Sequence, residues 1–387
     1  MMSEGELKYS NRNHKEKLRR LEEWSKGNPQ PPFKFSIIPT NRCNLKCDAC
    51  PNSVARSKGR FSRKNEISQK KWMEIVDKGL DMGVKEWRIL GGGEPLVRKE
   101  TSLSILYKVK KESVMQDTEI ITNGTLLEAE DIQNLVKVRT NRILFSIDGP
   151  DAKTHDIIRG VPGAFRKAFR SLRYFKKVKD KTNIDKPVIQ INTVLNNKNY
   201  DRILEMMELF NRYGAAEWAL HPMREYEEIK DQMQYLKLNK DQKRALKRQI
   251  AIAEDKGDEI EMDVNLEMIS ESDYFEGIEE GSENNTEDEK QDKPNKNQFV
   301  DSNCFEPFYG ILITPKGLVG QCAPFGQGIT DLDLKKRGLE EIWYGDHLQK
   351  IRRKMLNHDL TESCKKCGLL DMTEELRREL KKYRGLN

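Results

Sequence analysis

Cys43-Asn44-Leu45-Lys46-Cys47-Asp48-Ala49-Cys50, followed at once by Pro51, gathers three of the chain's 7 cysteines into one short stretch. The apolar run before it, Phe35 to Pro39, reads as a strand. Three thiolates separated by gaps of three and two residues can wrap one side of an iron–sulfur cube, whereas an all-protein [4Fe–4S] site takes four. An iron without a protein ligand is free to bind something else, as a catalytic metal differs from a structural one in keeping an open position. The stretch therefore points to a cluster that holds a small ligand and does chemistry on it.

Outward from that loop, a rhythm organises the first two thirds of the chain. Apolar, β-branched segments recur at Phe35–Pro39, Glu86–Leu90, Glu119–Thr122, Arg142–Ile147, Val188–Leu195 and Glu217–Leu220. Helical patterns separate them at 68–79, 102–111, 127–137, 163–177 and 200–213. Strands alternating with helices predict βαβ units and a parallel sheet, either open and doubly wound or a partial (β/α)6 barrel. Directly after the strands come the cysteine loop, Gly91-Gly92-Gly93-Glu94-Pro95, Asn123-Gly124, Asp148-Gly149-Pro150, Asn196-Asn197 and His221-Pro222. Ligands of such sheets sit at the carboxyl ends of the strands. One such turn is ordinary turn chemistry; six on one rim, cysteines included, read as a site.

Composition bounds the rest. With 387 residues the chain has length for two domains, or for one large α/β domain with additions. Charged residues make up 34%, mean hydropathy is −0.80, and the basic residues behind the net charge of +6 are scattered among acidic ones except around Arg56–Lys64 and Arg166–Lys181. Nucleic acid is thus not an expected partner, and the basic run Arg166–Lys181 reads as a solvated helix face. No apolar run reaches membrane-spanning length and the first 32 residues form no signal peptide, so a cytoplasmic location is expected. In a reducing compartment clustered cysteines read as metal ligands, and their odd number argues against a purely disulfide framework.

Four segments follow from this: a charged helical extension over 1–32, the βα core over 33–224, a charged helical and acidic insertion over 225–298, and a cysteine-rich terminal part over 299–387. The stretch 271–297 is expected to be a solvated linker. Tyr309–Thr314 and Leu318–Cys322, about a turn at Pro315-Lys316-Gly317, predict a hairpin; helices are expected at 338–343, 347–356 and 373–383.

With these motifs in view, the chain resembles the radical S-adenosylmethionine superfamily. Cys43, Cys47 and Cys50 have its Cys-x3-Cys-x2-Cys spacing, and Gly92-Gly93-Glu94-Pro95 matches its second motif. The alternative for the cysteines alone is a zinc or redox cluster. The resemblance implies that a [4Fe–4S] cluster binds S-adenosylmethionine on its open iron. Electron transfer then cleaves the sulfonium, giving methionine and a 5′-deoxyadenosyl radical that takes a hydrogen atom from a substrate C–H bond. It further implies that Gly92, Gly93 and Glu94 hold the methionine amino group, and that Ser146 and Asp148 approach the ribose or methionine part with Asn123 beside them. Arg159, in His155-Asp156-Ile157-Ile158-Arg159-Gly160, is similar to an arginine that pairs with the carboxylate in peptide-maturing members. Asn192 and Val194 are candidates for the adenosine edge. One residue departs from the pattern: where the family often has an aromatic side chain before the third cysteine, this chain has Ala49.

The remaining cysteines resemble the SPASM extension, or its shortened twitch form: Cys304, then Gly317 and Cys322, then Cys364 and Cys367. Four thiolates imply one auxiliary [4Fe–4S] cluster, fully ligated and suited to relaying electrons; structural zinc is the alternative. No cysteine is left over. His221 is a candidate proton acceptor, with a satisfied structural histidine as the alternative. The first reading of function is oxidation of a sugar, cyclitol or other small molecule. It draws on the shortness of the 1–32 segment, which cannot hold the winged leader-binding domain of many peptide modifiers. The alternative is a peptide- or protein-modifying maturase, and the third a non-catalytic iron–sulfur carrier. A flavodoxin- or ferredoxin-type reductant is the partner that the resemblance implies.

Overall fold

The computed structural model describes residues 4–224, 226, 229–266, 269, 275, 299–300, 302, 304–320, 322, 332–359, 364 and 369–385. In chain order its elements begin with α1 (Glu4–Ser25), β1 (Lys34–Ile37), α2 (Ser53–Ser57), α3 (Gln69–Asp81), β2 (Glu86–Ile89) and α4 (Lys99–Glu112). Then come β3 (Asp117–Thr122), α5 (Ala129–Lys137), β4 (Arg142–Ser146), α6 (Ala152–Arg159), α7 (Ala164–Thr182), β5 (Val188–Val194), α8 (Ile203–Arg212) and β6 (Glu217–His221). After these lie α9 (Lys230–Met233), α10 (Lys240–Glu259), β7 (Asp263–Asn265), α11 (Glu306–Tyr309), β8 (Gly310–Ile313) and β9 (Val319–Gly320). The last three are α12 (Leu339–Tyr344), α13 (Asp346–Leu356) and α14 (Leu369–Tyr383). The chain divides into two compact units: a terminal unit of Met1–Ile37, Ile67–Trp87 and Glu283–Asn387, and a mid-chain unit of Ile38–Glu66 and Arg88–Ser282.

In the mid-chain unit β3, β4, β5, β6 and β7 pair in that order, every pair parallel. The alternation along β5 is strict: Ile189, Ile191 and Thr193 are buried while their neighbours are half-exposed, as a period of two requires. Ile143, Phe145, Ile191 and Trp218 of the sheet, Phe175 of α7 and Met206, Met207 and Phe210 of α8 are all buried in the core, where Phe210 packs on Trp218 at 5.4 Å. Complete burial of such a side chain stabilises by about 1.5–3 kcal/mol, and Phe145 packs edge-on to Phe175 at 6.1 Å. The helices start where local chemistry directs. Asp151 accepts from Thr154 N at 2.7 Å, and Asn239 and Gln242 form a reciprocal capping box.

In the terminal unit β1 pairs in parallel with β8, Lys34 opposite Gly310, and β8 pairs antiparallel with β9. Both β1 and β8 are buried along their whole length. Trp24 of α1 packs on Phe308 at 5.7 Å and Trp343 at 6.5 Å. The Arg352 guanidinium lies over both indoles and donates to the carbonyls of Pro307 and Trp343. Lys34 and Glu306 form a buried ion pair at 2.7 Å.

The expected α/β architecture with a parallel sheet is present, as is the hairpin of β8 and β9. Two strand pairings were not anticipated: β7 beside β6, and the first strand of the hairpin beside β1. The linker expected over 271–297 lies, apart from Phe275, outside the described residues.

Candidate functional site

All the residues singled out in the first motif set lie in the mid-chain unit. The cysteine loop leaves β1 and is fastened at nearly every residue. Asn44 donates to Thr125 Oγ1 at 2.8 Å and accepts from Asn123 Nδ2 at 2.9 Å, which ties the loop to the turn after β3. Lys46 N donates to the Arg159 carbonyl at 3.1 Å. Asp48 accepts from Gln232 through its carbonyl at 2.6 Å and from Tyr235 through its carboxylate at 2.7 Å. Cys50 Sγ accepts from Arg56 at 2.9 Å and Cys43 Sγ from Leu45 N at 3.4 Å. All three thiols are half-buried. Burial pushes Cys43 up to about 11 and raises Cys47 as well, the latter opposed by Arg159. Among the described residues no three His, Cys, Asp or Glu side chains converge on one metal ion. A mononuclear site with bonds of about 2.3 Å demands that convergence, but in a cubane each thiolate takes a different iron.

The Gly92–Glu94 run is pressed against the start of the same loop. Gly93 N donates to Thr40 O and Glu94 N to Arg42 O, at 3.2 and 2.9 Å. A Cβ on Gly93 would overlap the Arg42 carbonyl, so this approach requires glycine. Glu94 is 3% exposed, and its carboxylate accepts from Leu96 N, Thr122 Oγ1 and Asn123 N at 3.0, 2.7 and 2.7 Å. A carboxylate offers about four lone-pair positions, so one remains for a further donor. Burial raises its pKa, against the pull of these hydrogen bonds, which is the setting in which a bound ammonium group gains most.

Asp148 and Arg159 form a buried ion pair at 2.9 Å. The second Asp148 oxygen accepts from Val194 N at 2.9 Å, and its backbone N donates to His155 Nδ1 at 3.1 Å. Burial pushes Asp148 up and Arg159 pulls it back. Burial also disfavours the Arg159 charge, yet Asp148 and Cys47 outweigh it and hold the guanidinium more firmly protonated. The resemblance turns Ser146 and Asp148 toward the ribose or methionine part; in the structure the Asp148 oxygens hold Arg159 and accept from the Val194 backbone. Ser146 closes β4 opposite Asn192, whose Oδ1 accepts from Gln190 at 2.8 Å. His221 ends β6, half-buried, its carbonyl accepting from Leu195 N. Burial, followed by Arg224, lowers its pKa.

Several residues of this site escaped the sequence reading: Asn44, Arg56, Thr122, Thr125, His155 and Asn199, the last donating to the Asp148 carbonyl at 3.0 Å. Asn44, Arg56, Thr122 and His155 lay inside quoted stretches but were given no role. Gly160, in the left-handed region at φ 67°, lets α6 end against the cysteine loop, where a Cβ would overlap the Lys46 carbonyl.

In the terminal unit Cys304 lies before α11, Cys322 is buried after β9, and Cys364 is half-buried. Cys367 lies outside the described residues.

The family model of the radical SAM superfamily matches residues 37–210, and that of an iron–sulfur cluster-binding domain, SPASM, matches 304–368. The chain carries both domains. It is 31% identical over 179 residues to the AdoMet-dependent heme synthase of Methanosarcina barkeri, which is 46% of each protein. It is 28% identical over 187 residues to the PqqA peptide cyclase of Granulibacter bethesdensis, 48% of this chain and 46% of that one. The match thus spans about half the length of these curated relatives. Among solved structures, Streptococcus suis SuiB bound to its precursor peptide SuiA aligns with a TM-score of 0.59 at 19% identity, over 93% of this chain and 74% of that one. The two domains imply S-adenosylmethionine and [4Fe–4S] clusters as cofactors. The residues fit them: beside the three thiols, Arg159 Nε and Arg56 Nη1 are buried donors with no acceptor among the described residues. Among the described residues no helix is long and apolar enough to cross a membrane.

Proposed function

We propose that this radical SAM enzyme modifies a peptide, oxidising a side chain or backbone C–H group, with one auxiliary [4Fe–4S] cluster in the terminal unit taking up an electron. One observation carries the catalytic part: the cysteine loop, the Gly92–Glu94 run, the Asn123 turn and the Asp148–Arg159 pair are hydrogen-bonded into one constellation. Cys43, Cys47 and Cys50 would hold the catalytic cluster. When bound, cluster and S-adenosylmethionine supply a hydrogen-abstracting radical. Glu94, with its spare lone pair, receives the methionine ammonium; Arg159, oriented by Asp148, receives the carboxylate through its fork. Ser146, Asn192 and the rim at Val194 border the nucleoside part. His221, kept neutral by burial, accepts the substrate proton. Cys304, Cys322, Cys364 and Cys367 would close the auxiliary cluster, and a flavodoxin- or ferredoxin-type protein would deliver electrons.

Support for a peptide substrate over a sugar or cyclitol comes from the relatives: one is a peptide cyclase, and SuiB was solved with a precursor peptide. Arg159 lies in the motif resembling peptide-maturing members. The test is anaerobic reconstitution with iron and sulfide, dithionite reduction, and assay with peptides encoded beside this gene. About eight irons per chain, 5′-deoxyadenosine release and a peptide lighter by two hydrogens are expected. Release of 5′-deoxyadenosine with every peptide unmodified, but a sugar or cyclitol oxidised, would restore the small-molecule reading.

A further inference from the structure

Arg56 lies outside the motifs named above, yet its side chain reaches a thiol of the cysteine loop. Its Nη2 donates to Cys50 Sγ at 2.9 Å, and its Nη1 is buried with no acceptor among the described residues. The backbone leaves little freedom in this placement. Ser53 N donates to Cys50 O and Arg56 N to Asn52 O, both at 2.9 Å, so α2 begins as a direct continuation of the cysteine loop. Asn52 in turn donates to the Gly92 carbonyl at 2.7 Å, which ties that turn to the glycine run. The guanidinium charge also reaches Cys43, where it opposes the upward push of burial on that thiol.

A long, flexible side chain held with one buried, orphaned donor is costly unless something satisfies it. Inorganic sulfide of a cluster, standing among the three cysteine sulfurs, is an acceptor of the right kind for an N–H arm already aimed at Cys50. Resting on the reading that Cys43, Cys47 and Cys50 hold a [4Fe–4S] cluster, we propose that Arg56 tunes this cluster, favouring its reduced form through its charge and its N–H···S bonds. Reduction brings one electron from a low-potential donor into the cluster, with no bond made or broken. The added negative charge is stabilised by a fixed cation and by donors to sulfur, two of the levers that set cluster potentials.

The experiment is an anaerobic dithionite titration of the full-length reconstituted protein, followed by electron paramagnetic resonance. The catalytic cluster is recognised as the signal that changes when S-adenosylmethionine is added. Arg56→Met, which removes charge and donors, is expected to make reduction about tenfold less favourable, a midpoint lower by about 59 mV for a one-electron couple. Arg56→Gln, which keeps a donor but no charge, is expected to fall between Met and wild type. Both variants with the wild-type midpoint overturn the proposal. So does loss of iron and sulfide from both while they stay folded, since that would assign Arg56 to cluster assembly. If wild type itself shows no signal responsive to S-adenosylmethionine, the underlying reading fails instead, and the two failures are told apart.

Discussion

Cys43, Cys47 and Cys50 come from one short stretch, and side chains from the turn after β3, from α2 and from residues 232–235 hold that stretch in place. Cys304, Cys322, Cys364 and Cys367 are drawn from separate segments between residues 304 and 367, with the β8–β9 hairpin between the first two. In the first region, protein hydrogen bonds already define where each thiol goes, so metal binding has little chain left to order. In the second, on the proposed reading, ligands far apart in sequence would gain their common position through the cluster, and binding free energy there would be largely folding free energy. On that reading the open site is preorganised by protein, and the closed one would be ordered by its inorganic core.

The largest effect should come from removing a ligand of the open site. Cys47→Ala is expected to abolish 5′-deoxyadenosine release while about four irons of about eight remain, by chemical iron assay and product chromatography. Retained release would break the three-thiol argument. The counterpart is Cys322→Ala, expected to leave S-adenosylmethionine cleavage intact but lower the denaturation midpoint of the terminal unit and stop peptide oxidation. If instead it left stability untouched and Cys47→Ala destabilised the fold, the contrast between the two regions would be reversed. Next in size, Arg159→Lys keeps the charge and loses the fork; S-adenosylmethionine binding by calorimetry should weaken about 10–100-fold. The smallest effect belongs to Tyr235→Phe, which deletes one half-exposed hydrogen bond to Asp48 and should reduce stability by about 1 kcal/mol or less, measured by chemical denaturation.

The six strands and the rim they carry were legible because each is an apolar run, β-branched in all but the last, followed by a turn residue, a signal that survives without any knowledge of the fold. β7, Asp263–Asn265, carries no such run; it is a strand because β6 offers it an edge. The same limit applies in the site. Glu94 and Arg159 were named as residue types suited to an ammonium and a carboxylate. The sequence does not show that Asp148 is taken up by Arg159 and by the Val194 backbone, since a backbone N–H leaves no trace in residue identity. Arg56 was invisible for a related reason: nothing about an arginine six positions past a cysteine says which way it points until α2 turns it back.

Lys34 and its ion-pair partner Glu306 stand 272 positions apart, and β1 finds its parallel neighbour β8 only across that span. At synthesis rates of about 5–20 residues per second, the ribosome needs roughly 15–55 s between making the first strand and making its companion. Until then β1 presents to whatever is near the hydrogen-bonding edge that β8 will cover. The newborn chain therefore passes through an interval of exposure that ends only as its last quarter emerges, which makes the timing of translation and chaperone supply a determinant of yield.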